Sequence, residues 1–96
     1  MIRLGVLGST RGTDLEAILS AINNKKLAAE VSVVISNREN AYILTRAKNH
    51  NVPSLFISHK NKSREEFDKN VTTILKQYNV ELVLLIGFMR ILSAEF

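Results

Sequence analysis

Gly8-Ser9-Thr10-Arg11-Gly12-Thr13-Asp14-Leu15-Glu16 joins two different hydrophobic patterns. Before it, Leu4 to Leu7 is an apolar run of the kind that forms a buried strand. After it, Leu15, Ile18, Leu19 and Ile22 recur at the spacing of one helix face. A glycine-bearing loop between a parallel strand and a helix start is suited to holding a phosphate. Its backbone N–H groups point outward, and the helix N-terminus adds partial positive charge. A tight connection that needs glycine for backbone reasons alone is the competing reading. The stretch is not a Walker A loop, since no lysine follows Gly12. Nor does it fit the dinucleotide fingerprint, because the glycines fall at Gly5, Gly8 and Gly12. Its hydroxyls, on Ser9, Thr10 and Thr13, also suit a flavin-phosphate loop.

Ile2 to Gly8 reads as a strand covered on both faces. Thr13 and Glu16 read as a capping box for a helix ending near Asn23-Asn24. Glu30 to Ser36 is a second strand, and Asn37 to Asn40 a turn. Ala41 to Asn49 is a short helix with Ala41, Leu44, Ala47 and Ile43 as its inward residues. Pro53 biases Val52 toward extended backbone, and Ser54 to Ile57 is a third strand. Ser63-Arg64-Glu65-Glu66 is another capping box. It opens a helix whose stripe is Phe67, Val71, Ile74, Leu75 and Tyr78, stopped at Asn79. Leu82 to Ile86 is a fourth strand, followed by the apolar loop Phe88 to Leu92, which contains Arg90.

The order β-α-β-α-β-α-β implies an α/β, Rossmann-like open parallel sheet with right-handed crossovers and strand order 3-2-1-4. The order of strands across the sheet reverses between strands 1 and 4, and ligands sit at the carboxyl ends beside such a topological switch. Two loops meet there: Ser9 to Thr13 and Gly87 to Leu92. The second is read either as core completion with Arg90 solvated or as a flat apolar slot for a heteroaromatic ring. Strand 4 has the composition of a central strand but stands at an edge. Residues 1–96 are therefore expected to be the N-terminal part of a larger domain, or else another chain covers that edge. Self-association through strand 4 is expected on the same ground.

Composition narrows the function. The chain has 96 residues, 46% of them hydrophobic, and a net charge of +4. The basic residues are dispersed, with only Lys60 to Arg64 locally dense, and neither a recognition helix nor aromatic platforms accompany them. Nucleic acid is not an expected partner. No run is long enough to span a membrane, and no signal segment precedes the first strand, so a cytoplasmic location is expected. Without cysteine there is no disulfide framework or thiolate metal site. His50 and His59 lie on polar stretches with no ligand-spaced companion and read as solvated, and no metal is expected. Asp68 and Lys69 read as a solvated helix face. A complete catalytic constellation is absent.

The pairing of Gly12-Thr13-Asp14-Leu15-Glu16-Ala17-Ile18 with Gly87-Phe88-Met89-Arg90-Ile91-Leu92-Ser93 resembles the phosphoribosylglycinamide formyltransferases. Ser36-Asn37-Arg38 and Ser63-Arg64-Glu65 are similar to that family too, and the resemblance runs through all 96 residues. It implies formyl transfer from 10-formyltetrahydrofolate to the amine of glycinamide ribonucleotide, in purine biosynthesis. It implies that Gly12, Thr13 and Asp14 hold the ribonucleotide phosphate. Asp14 departs from the family's usual Asn, and Arg11 supplies a cation that can compensate. Arg64 matches a position bordering the folate, and Met89, Arg90, Ile91 and Leu92 match the loop that holds its pterin ring. The family's catalytic Asn, His and Asp lie beyond Phe96, so no catalytic residue is expected in this chain, which alone should be inactive. Another folate-dependent formyltransferase and a flavodoxin-like phosphate- or flavin-binding module are the alternatives.

Overall fold

A computed structural model describes residues 2–8, 11, 13–58, 60 and 63–86. The elements are β1 (Ile2–Gly8), α1 (Thr13–Asn23), β2 (Ala29–Ser36), α2 (Tyr42–Asn49), β3 (Ser54–Phe56), α3 (Arg64–Gln77) and β4 (Leu82–Ile86). Every strand pair is parallel, and the sheet order is β3-β2-β1-β4. This is the Rossmann-like α/β arrangement expected from the alternation of elements.

Both sheet faces are covered, by different helices. On one face, Leu15 and Leu19 of α1 and Ile43, Leu44 and Ala47 of α2 pack with Leu4, Val6, Val31 and Val34. On the other, Phe67, Val71 and Leu75 of α3 pack with Leu7, Val33, Ile35 and Ile57. Two-sided burial explains why the strands are continuously apolar rather than alternating. The pairing of β2 with β1 steps from Leu4↔Val31 to Gly5↔Val33, which leaves Ser32 as an extra residue. That bulge resets the alternation, so Val31 and Val33 reach opposite faces although they are two apart.

Gly5 sits where α3 crosses β1. A Cβ there would lie 2.7 Å from Leu75 Cδ2 and 3.0 Å from both methyls of Val80. The absent side chain lets the end of α3 lie close to the sheet.

Among the described residues, all three helices stop in the same way. Lys25, Asn51 and Asn79 have φ of 60°, 60° and 56°. The next residue in each case bonds back into the last turn: Lys26 N–H to the Ala21 carbonyl, Val52 to Ala47 and Val80 to Leu75. These are Schellman endings built without glycine. At the start of α3, the Ser63 hydroxyl accepts from Glu66 N–H at 3.1 Å, as the capping motif requires.

Candidate functional site

β1 and β4 lie side by side in register, with Gly8 partnered by Ile86. The chain thus leaves both strands at one level, at the carboxyl end of the sheet. α1 begins at Thr13, so Thr13 and Asp14 are its first two residues. Gly12 and Met89, Arg90, Ile91 and Leu92 lie outside the described residues, as does His59. Arg64 is the first residue of α3 and is exposed. α3 packs on the face opposite α1 and α2, so Arg64 and the α1 start approach the carboxyl end of the sheet from different sides.

The Thr13–Glu16 capping box takes a different form. Thr13 is inside the helix rather than ahead of it, and the Glu16 carboxylate is engaged across the helix–helix contact with α2. Oε1 accepts from Arg46 Nη1 at 3.1 Å, and Oε2 lies 2.7 Å from His50 Nε2. An ionised carboxylate can only accept, so Nε2 is the donating nitrogen of the His50 ring. His50 is therefore hydrogen-bonded to the Glu16 carboxylate beside Arg46 and is not a solvated side chain. Its two hydrogen-bond donors hold the Glu16 carboxyl below the ordinary glutamate value of 4.5, with the His50 bond contributing most and the Arg46 bond next.

Arg46 has two further partners. Its Nε donates to the Arg11 carbonyl at 2.6 Å, and its guanidinium carbon lies 4.8 Å from the centre of the Tyr42 ring. Tyr42, Arg46 and His50 fall four residues apart, and that spacing gathers them on one stripe. The helical spacing was visible in the sequence; the partner on α1 was not.

Asp68 also departs from expectation. It is 1% exposed, beside the fully buried Phe67, whereas Lys69 is exposed. Asp68 stands three residues before Val71 and seven before Leu75, on the apolar stripe of α3. Helical spacing predicts its burial once position is weighed above polarity.

Next to the α1 start is an open cleft of about 870 Å³ at the carboxyl ends of β2 and β3. Arg11, Asn37, Arg38, Tyr42, Phe56 and Lys60 are among the residues lining it. Ser36 and Asn37, at the end of β2, are buried, and the Ser36 hydroxyl accepts from Arg38 N–H at 3.1 Å. Asn37 and Arg38 thus line a basic, partly aromatic opening, in a turn that the Ser36 hydroxyl closes. Among the described residues no group of three His, Cys, Asp or Glu side chains could hold a metal.

The chain matches the family described as formyl transferase over residues 2–96. Phosphoribosylglycinamide formyltransferase of Haemophilus influenzae is 36% identical over 97 residues, covering 100% of this chain and 46% of that protein. The trifunctional purine biosynthetic protein adenosine-3 of Gallus gallus is 40% identical over 96 residues, which are 99% of this chain and 10% of that one. The solved phosphoribosylglycinamide formyltransferase of Coxiella burnetii, in complex with CHES, superposes with a TM-score of 0.92 at 40% identity, over 98% of this chain and 44% of that one. Glycinamide ribonucleotide transformylase 1 of Symbiobacterium toebii gives 0.93 at 41%, over 98% and 45%. The chain spans about half the length of these single-function relatives and a much smaller share of the trifunctional one. With the matching strand order and the match across residues 2–96, these likenesses show that the chain belongs to the formyl transferase family.

Proposed function

We propose that this chain is the nucleotide-binding half of a glycinamide ribonucleotide formyltransferase domain, acting in purine biosynthesis. In this reading the start of α1 receives the ribonucleotide phosphate on the backbone amides of Gly12, Thr13 and Asp14. Met89, Arg90, Ile91 and Leu92, which follow β4, receive the pterin ring of 10-formyltetrahydrofolate, with Arg64 at the border of that site. The reaction joins the two ligands: the glycinamide amine attacks the formyl carbonyl, and the formyl group leaves the folate nitrogen. The observation that carries the reading is the Gly8↔Ile86 register. It starts the two ligand loops from adjacent strand ends, so two small molecules held by them would meet. A cytoplasmic location and self-association through the outer edge of β4 belong to the same proposal. Membership of the formyl transferase family favours this reading over the flavodoxin-like alternative.

Gly12→Val tests the phosphate assignment, since a β-branched side chain obstructs close backbone approach. Calorimetric titration with glycinamide ribonucleotide should show affinity reduced at least ten-fold in the variant, with far-UV circular dichroism unchanged. Equal affinities would remove Gly12 from the site.

A further inference from the structure

We propose that Arg46 is a positioning residue for the phosphate loop; this rests on the ribonucleotide reading above. Arg46 stands in α2, which is anchored in the core by Ile43, Leu44 and Ala47. From that platform its guanidinium reaches out of the helix to the backbone carbonyl of Arg11, immediately before Gly12, at 2.6 Å. This bond is charge-assisted and short, and it links two segments 35 residues apart in sequence.

A peptide group is planar, so the donor that fixes the Arg11 carbonyl also fixes the plane shared with the N–H of Gly12. That N–H is one of the donors assigned to phosphate. Hydrogen bonding at the carbonyl also polarises the amide and strengthens the N–H as a donor. The guanidinium is itself held by other contacts. Glu16 Oε1 takes Nη1 at 3.1 Å, the Tyr42 ring lies against its face, and the side chain is only 18% exposed. A planar fork serves all three partners at once; an ammonium would serve one. Arg46 therefore sets the loop before a ligand arrives, and does so without touching that ligand.

The test separates Arg46 from the rest of its cluster. Arg46→Gln removes the cation, Arg46→Lys keeps a charge that can reach one partner, and His50→Ala loosens the contact between α1 and α2 without touching Arg11. Amide hydrogen exchange at residues 12–14 reads the positioning directly, with no ligand present. Titration with inorganic phosphate, followed by NMR at the same amides, reads its consequence. Arg46→Gln should exchange faster at these amides and bind phosphate roughly ten-fold more weakly, the size of one charge-assisted hydrogen bond. Arg46→Lys should recover part of both losses, and His50→Ala should stay within about two-fold of the unaltered chain, since the surface pair it breaks is a weak one. Exchange and affinity unchanged in Arg46→Gln would overturn the proposal, as would equal losses in His50→Ala. If the unaltered chain shows no response to phosphate at these amides, the ribonucleotide reading fails, and the exchange rates still decide the positioning role.

Discussion

Glu16 holds two proton-donating side chains on one carboxylate, Arg46 of α2 and His50 just past its end, and the pH dependence of stability should show it. The carboxyl is depressed below 4.5 in the folded chain, so the folded state favours the ionised form. Its contribution is therefore present above the ordinary glutamate value and is lost as pH falls through the depressed one. Glu16→Gln should lower Tm at neutral pH, and the gap between variant and unaltered chain should close as pH falls below 4.5. A gap that persists unchanged into acid would show that the carboxylate's charge is not what joins the helices. The sequence led to a different reading of this residue because capping is local, whereas its partners are 30 and 34 positions away. Side-by-side packing of α1 and α2 is what brings them together, and no spacing within α1 encodes it.

At the scale of elements, the hydrophobic pattern carried most of the architecture. The stripe Phe67, Val71, Leu75 found the buried face of α3, and the alternation of strands and helices gave the order β3-β2-β1-β4. The bulge at Ser32 was not legible, because the Val and Ile residues around it fit a strand in either register. Asp68 was misplaced because its charge outweighed its position on the stripe. The crossing of α3 over Gly5 gives a direct check. Gly5→Ala forces a methyl against Leu75 and Val80, so overpacking of about 1–3 kcal/mol is expected. For a domain of this size that is a fall in Tm on the order of ten degrees. Adding Leu75→Val, which shortens the side chain nearest that methyl, should recover part of it. A neutral Gly5→Ala would mean that the end of α3 does not pack as closely as the structure has it.

At the scale of the molecule, β4 has β1 along one edge, and among the described residues no strand pairs with the other. Leu82 and Leu85 on that strand are 50% and 58% exposed. An apolar strand with an open edge is a template for pairing with another chain. Sedimentation should therefore show association that grows with concentration, and Leu85→Lys should suppress it. A monomer at all concentrations, or association untouched by the lysine, would count against β4 as the contact.

The ends of β1 and β4 lie side by side, and in the proposed function the loops that follow them serve two different molecules. The direct measurement is NMR of the isotopically labelled chain during separate titrations with glycinamide ribonucleotide and with a stable 10-formyltetrahydrofolate analogue. The ribonucleotide should shift amides at residues 12–14, and the folate analogue those at residues 89–92. Both ligands shifting one and the same loop, or neither loop responding while riboflavin phosphate shifts residues 9–13, would contradict it.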